Sequence, residues 1–192
     1  METPMTLESV GADSEGFRAA LGTFAASVNV ITMWDDHHRP LGMTATAFSS
    51  VSADPLLVLV CINRSTRTYN YIAEQGSFGV NILGSAARTI SDYCSQPGAD
   101  KYLEPAWLTS TQSWSSPALA GALAFLDCRV EQDVQAGTHA VLIGAVKGIG
   151  LSEYAPVHEP LVYFQGGYRP LQAKFEPRPA TSLPILVNDF LL

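Results

Sequence analysis

Hydrophobic positions along the chain follow two periods, and where the period changes marks the elements. Phe17, Ala20, Leu21 and Phe24 fall at i, i+3, i+4 and i+7, which predicts an amphipathic helix opened by Ser14, with its apolar stripe facing a core. Ser27 to Trp34 reads as a β-branched strand, Asp35 to Pro40 as a hairpin turn, and Leu41 onward as the returning strand. Leu56 to Ile62 is a continuous apolar run bounded by Pro55 and Asn63, the pattern of a strand buried on both faces. Arg67 to Gln75 reads as a short helix stopped by Gly76, with Ser65 or Thr66 at the N-cap position. Phe78, Val80 and Ile82 alternate with Gly79 and Asn81, which predicts a strand with one buried face, and Ala86, Ile90 and Tyr93 mark a second amphipathic helix ending before Pro97-Gly98.

Residues 96 to 121 form a long connection carrying Trp107 and Trp114, and a loop of that length in a compact domain points to function or an interface. Beyond it, Ala122 to Val134 and Ala140 to Val146 predict a long antiparallel hairpin turning at Gly137-Thr138, with His139 near its tip. Leu161 to Gln165 supplies one more strand, closed by Gly166-Gly167-Tyr168-Arg169-Pro170. Mostly antiparallel strands with helices outside argue for a mainly β fold, a closed or nearly closed barrel with Greek-key connections. Successive βαβ units and a G-x-G-x-x-G fingerprint are missing, which excludes a dinucleotide-binding Rossmann domain.

One stretch departs from the pattern of a core strand. From Thr44 to Ser52 the side chains are nearly all small, with hydroxyls at Thr44, Thr46, Ser49, Ser50 and Ser52. Such a strand leaves backbone groups within reach of a flat, hydrogen-bonding ligand, or it is a polar edge facing water; composition alone leaves both open. Nearby, Asn63-Arg64-Ser65-Thr66 combines two hydroxyls, a guanidinium and a helix N-terminus, which suits either a phosphate or an ordinary cap. Together they suggest a nucleotide whose ring lies on the strand and whose phosphate lies at the helix.

Length and composition narrow the classes. At 192 residues and 47% hydrophobic content the chain is one domain with a full core, organised as a flexible segment 1–13, a body 14–169 and an extension 170–192 that ends in apolar residues. A net charge of −7 without any basic run argues against nucleic acid and anionic membrane surfaces. With neither a signal-peptide pattern nor a long apolar run, the expectation is a cytoplasmic protein. Cys61, Cys94 and Cys128 are widely spaced and read as buried thiols, and the four histidines form no ligand cluster, so no metal is expected.

The residues also resemble a known family. Phe17-Arg18 with Leu21-Gly22 and Phe24-Ala25, then Gly42-Met-Thr-Ala-Thr-Ala-Phe-Ser-Ser-Val-Ser followed by Asp54-Pro55, then Phe78-x-Val80-Asn81-Ile82-Leu83, Asp100-Lys101-Tyr102, Gly137-Thr138-His139 and Gly167-Tyr168-Arg169 are similar, in this order, to the flavin reductase-like family. These are the short-chain reductases that serve two-component flavin monooxygenases. The resemblance implies a split β-barrel homodimer that binds FAD or FMN and takes hydride from NADH or NADPH, delivering reduced flavin to a partner monooxygenase. It implies flavin contacts at Thr44, Ala45, Thr46, Ser49, Ser50, Val51, Ser52 and Cys61, and phosphate contacts at Asn63, Ser65 and Thr66. It further implies cofactor-facing roles for Asn81, Lys101, Tyr168 and Arg169, and a catalytic His139 beside the nicotinamide. Thr138 departs from the family, which usually carries Asp there. The same barrel could instead serve an oxidase with tightly held FMN, or a module that binds flavin without turnover.

Overall fold

The computed structural model describes residues 6, 7, 9–98, 100–110, 114–153, 155 and 158–171. Its elements in chain order are α1 (Ser14–Gly22), β1 (Ala26–Ser27), β2 (Asn29–Trp34), β3 (Pro40–Ala45), β4 (Phe48–Ala53), β5 (Leu56–Asn63), α2 (Arg67–Gln75), β6 (Ser77–Leu83), α3 (Arg88–Cys94), β7 (Ala122–Ala136), β8 (His139–Leu151), β9 (Val162–Phe164) and β10 (Gly167–Arg169). Single 3₁₀ turns precede α3 and follow it at Pro105–Trp107.

Seven strands form one antiparallel sheet in the order β3-β2-β6-β7-β8-β5-β4. Its two edges, β3 and β4, are consecutive in the chain and separated only by Thr46 and Ala47. Three peptide steps span at most about 11 Å, so the sheet has to curl until its edges approach each other. That is the expected barrel. The amide of Cys61 donates to the carbonyl of Ala47 (3.1 Å), tying the crossing point to β5. β5 and β6 follow each other in sequence, yet the β7–β8 hairpin lies between them, and α2 carries this Greek-key crossover.

Ile31, Met33, Leu41, Val58, Val60, Ile62, Phe78, Val80 and Leu142 fill the barrel. A second cluster, Val28, Val30, Leu83, Ile90, Cys94, Leu103, Leu119 and Leu161, lies on the outer face of the sheet. Cover comes from α3 and a three-stranded sheet in the order β1-β9-β10. Burial pushes the thiols of Cys94 and Cys128 up to about 12, which keeps both protonated and inert.

Several expectations change. The hydroxyl-rich stretch is not one strand but two, broken at Thr46–Ala47, because its halves form opposite edges of the sheet, β3 pairing with β2 and β4 with β5. Ser27 to Trp34 likewise splits: β1 pairs with β9, and β2 pairs with β3 and β6. β5 is buried on one face only; Val58, Val60 and Ile62 point inward while Leu57, Leu59 and Cys61 are half-buried outside. β6 is the strand buried on both faces, since its outer side is covered by the 114–119 segment. Asp13, not Ser14, caps α1, its Oδ1 accepting from the amides of Glu15 (3.0 Å) and Gly16 (2.9 Å).

The largest departure concerns the apolar stripe of α1. Phe17, Leu21 and Phe24 are 64%, 56% and 70% exposed, so nothing in the described chain covers them. Periodicity shows that a face is apolar; it does not say which surface takes it up. The long connection, by contrast, packs inside the chain: Trp107 lies edge-on to Tyr93, and Trp114 edge-on to Phe125. The apolar end of the C-terminal extension lies outside the described residues.

Candidate functional site

A cleft of about 690 Å³ opens between three elements. Its floor is Leu41, Gly42 and Met43 of β3, one wall is the start of α2 from Ser65 to Thr68 with Tyr71, and the other wall is Pro97, Gly98 and Asp100 to Tyr102. β3 and the helix N-terminus singled out from the sequence therefore meet in one place, with Lys101 beside them; the cleft's lining on β3 ends at Met43, just before the hydroxyl-rich stretch that begins at Thr44.

Sequence dictates each wall. At the turn into α2, Asn63 accepts from the amide and the hydroxyl of Ser65 (both 2.9 Å), and the Thr66 hydroxyl donates to the Asn63 carbonyl (2.7 Å) while accepting from the amide of Tyr69 (3.3 Å). Thr66 is thus the N-cap, and Gly76 ends the helix in the left-handed conformation at φ 68°. Both hydroxyls donate inward, so they shape the turn. The donors left for an anion are the amides of Arg67 and Thr68, which have no acceptor within the helix, and the side chains of Arg67 and Lys101.

The opposite wall is held on β3. The amide of Gly42 donates to the Lys101 carbonyl (3.1 Å), that of Leu103 to the Pro40 carbonyl (2.9 Å), and Leu41 pairs with Tyr102 as an antiparallel bridge. The Arg39 guanidinium donates to the Tyr102 hydroxyl (2.6 Å) and sits 4.1 Å from the centre of its ring. Arg39 in turn is anchored by Asp35, whose carboxylate takes the Arg39 Nε (2.8 Å) and the amides of His37 (2.9 Å) and Arg39 (2.8 Å). Burial alone would raise the Asp35 pKa; these donors outweigh it and bring the value down to about 2. Between the two walls of the cleft, Arg67 Nη1 meets Asp100 Oδ2 at 2.7 Å. Burial, and after it the Asp100 carboxylate, holds the Tyr71 phenol above its ordinary value.

The structure sorts the predicted residues. Ser65, Thr66 and Lys101 line the cleft; Thr44 and Ala45 end β3 beyond Met43, and Thr46 follows in the break before β4. The Thr44 hydroxyl is turned away, donating to the Ser91 carbonyl of α3 (2.7 Å). Ser49 and Ser50 are exposed on edge strand β4, which bulges between Ser50 and Ser52 at Val51. Cys61 is half-buried on the outer face of β5. His139 is exposed at the hairpin tip, its Nδ1 2.9 Å from the Thr138 hydroxyl, and it pairs across the ladder with Asn63.

One expectation requires correction, and two other predicted residues lie away from the cleft. Asn81 does not face the cleft: it is 0% exposed, its amide donates to the Val30 carbonyl and the Thr32 hydroxyl (both 3.1 Å), and its Oδ1 accepts from the amide of Leu119 (2.8 Å). It fixes the 114–119 segment to the sheet. Tyr168 and Arg169 lie on β10, where the Tyr168 hydroxyl shares a hydrogen bond with Ser91 (2.8 Å) and Arg88 covers its ring at 4.9 Å. Sequence reasoning missed Arg67, Asp100 and Tyr71. It took Arg64 for the nearby guanidinium, but Arg64 pairs with Asp133 (3.3 Å) and stacks on Tyr69. Helical phase was the available signal, since a residue at the first helical position lies beside its own cap.

The donor set could hold a phosphate ester: two cations, Arg67 paired with Asp100, together with the first amides of the helix and the aromatic side chains of Tyr71 and Tyr102 along the walls. Among the described residues there is no group of His, Cys, Asp or Glu that could hold a metal ion, and no helix long and apolar enough to cross a membrane.

Comparison with known proteins identifies the family. Residues 21–172 match the model of the flavin reductase like domain. The chain is 36% identical over 151 residues to the reductase component of the flavin-dependent trigonelline monooxygenase of Acinetobacter baylyi, covering 79% of this chain and 47% of that protein. It is 31% identical over 180 residues to a flavin reductase (NADH) of Kitasatospora aureofaciens, covering 94% of this chain and 93% of the relative. Among solved structures, the flavin reductase PheA2 in its native state superposes with a TM-score of 0.72 at 34% identity, over 84% of this chain and 99% of that one. The chain spans about half the length of some relatives, the Acinetobacter protein among them, and nearly the whole of others. With most of its length matched by the domain model and by a relative of its own size, this chain belongs to the flavin reductase-like domain family.

Proposed function

We propose that the chain is an NAD(P)H:flavin oxidoreductase that passes hydride from NADH or NADPH to FAD or FMN and supplies the reduced flavin to a separate flavin-dependent monooxygenase. The observation that carries this reading is the meeting of β3, the open N-terminus of α2 and Lys101 in one cleft. A phosphate-bearing ligand anchored at α2 would run its remaining length along β3 toward Thr46. Names of relatives support the same reading, one being a flavin reductase (NADH) and another the reductase component of a monooxygenase. A cytoplasmic setting, where reduced nicotinamides are available, belongs to it.

A bound flavin supplies an electron-accepting ring, so side chains need do little covalent chemistry. Arg67, Lys101 and the first amides of α2 would hold the phosphate; the backbone of Thr44 to Thr46 would hydrogen-bond the ring edge, and His139, opposite Asn63 on the β5–β8 ladder, would contact the nicotinamide. The exposed stripe of α1 and the half-buried outer faces of β5 and β8 at Leu57, Leu59, Val141 and Ile143 supply the contact surface of a homodimer, which would close the site from outside.

Loss of NADH or NADPH absorbance on adding catalytic amounts of protein to free FAD, FMN or riboflavin tests this. Turnover that depends on free flavin supports the reading. A protein that stays yellow through dialysis and consumes oxygen without added flavin is an oxidase instead, and binding without turnover makes the chain a flavin-holding module.

A further inference from the structure

The cleft contains an ion pair that its architecture does not need. Arg67 and Asp100 join the two walls at 2.7 Å, the Arg67 side chain 73% exposed and the Asp100 side chain 13% exposed. Yet the wall that carries Asp100 is already fastened to β3 by the backbone bonds at Lys101 and Leu103 and by the Leu41–Tyr102 bridge. A single ion pair whose Arg67 side chain is 73% exposed adds little to stability. What the pair does change is charge. An anion arriving at the first turn of α2 meets two cations, Arg67 and Lys101, and one carboxylate that already occupies Arg67.

We propose that Asp100 is an affinity-limiting residue: it competes with the phosphate of a bound flavin for the Arg67 guanidinium, and so keeps FMN and FAD loose enough to leave after reduction. This rests on the flavin-reductase reading above. A reductase that hands its product to another enzyme gains from weak retention, because release then does not limit turnover. The carboxylate acts only against ligands that carry the phosphate. Riboflavin, which lacks it, has no quarrel with Asp100, so the residue also narrows the difference in affinity between riboflavin and its phosphate esters.

The test is direct binding, read by quenching of flavin fluorescence for the wild type, Asp100→Asn, Asp100→Ser, Arg67→Ala and the Arg67→Ala/Asp100→Asn double variant, each titrated with FMN, FAD and riboflavin. Both Asp100 variants are expected to bind FMN and FAD roughly three- to tenfold more tightly, less so at high salt, with riboflavin unchanged. In the Arg67→Ala background the Asp100 substitution should lose most of its effect. Damage to the fold weakens binding, so tightening cannot arise from it. Unchanged or weaker FMN binding in both Asp100 variants, with the wild type binding normally, overturns this inference alone; so does an equal gain for riboflavin. Failure of the wild type to bind any flavin overturns the flavin reading and this inference with it.

Discussion

Asn63 and His139 stand opposite each other on the β5–β8 ladder, which joins the turn that opens α2 to the tip of the β7–β8 hairpin. The amide of Arg64 donates to the Thr138 carbonyl (3.1 Å), and Arg64 pairs with Asp133 farther along the hairpin. The groups assigned to the flavin phosphate and to the nicotinamide side are therefore held by one tethered unit. His139→Ala should raise the apparent KM for NAD(P)H by about two- to tenfold, the equivalent of one lost hydrogen bond, and raise that for flavin less. Steady-state kinetics with each substrate varied in turn decides this, and a larger change for flavin moves His139 to the other half of the site.

The inward donation of the Ser65 and Thr66 hydroxyls separates two kinds of substitution at the phosphate turn. Lys101→Ala removes a charged donor and should weaken FMN binding by about 1.5 to 3 kcal/mol while leaving riboflavin nearly unchanged. Ser65→Ala with Thr66→Ala removes the cap and should lower thermal stability by about 1 kcal/mol, with FMN affinity falling through loss of the turn's shape. Isothermal titration with both flavins, paired with thermal melts, checks each. Equal losses for FMN and riboflavin in Lys101→Ala would remove the phosphate from this wall.

Much of the barrel was legible because its signals are local. The alternation of Leu126, Cys128 and Val130 and the turn at Gly137-Thr138 placed the long hairpin, and Gly76 placed the end of α2. What failed depended on partners distant in sequence. Asn81 sits in an alternating strand and reads as accessible, yet the Leu119 amide claims its Oδ1 from 38 residues away. The break at Thr46–Ala47 has no breaker residue; it exists because β3 pairs with β2 and β4 with β5, at opposite ends of the sheet. At the site, the helix start was legible and the cleft was not, since Asp100 and Tyr102 are brought to it by the backbone bonds of the neighbouring Lys101 and Leu103 to β3 and by the distant side chains of Arg67 and Arg39.

Asp35 makes stability depend on acid. Its folded-state pKa of about 2 lies below the ordinary value of 3.8, so the stabilisation is complete above about pH 4 and is lost as pH falls through about 2. Asp35→Asn should lower the melting temperature at neutral pH and flatten the fall between pH 4 and 2. Because Arg39 and Tyr102 hang on this carboxylate, the variant should also loosen the Lys101 wall. Melting curves across that range, wild type against variant, test both; parallel curves would show that Asp35 titrates alike in the folded and unfolded chain.

The exposed α1 stripe predicts assembly. Phe17→Glu with Leu21→Glu should convert a two-fold homodimer burying at least about 2,000 Å² into monomers, and flavin reduction should fall with it. Light scattering at micromolar concentration reads the outcome. A fully active wild-type monomer contradicts the shared site; a variant that stays dimeric clears α1 and leaves the outer faces of β5 and β8 as the contact.

The central claim, that this cleft reduces free flavin and lets it go, is tested most directly by mixing catalytic protein with excess NADH and excess FMN or FAD under anaerobic conditions and following the yellow absorbance. Many equivalents of flavin per protein chain should be bleached, and with flavin held below its KM the bleaching should be slowed strongly by Lys101→Ala. Bleaching that stops at one equivalent per chain, or that at such flavin concentrations proceeds unchanged in Lys101→Ala, would contradict the claim.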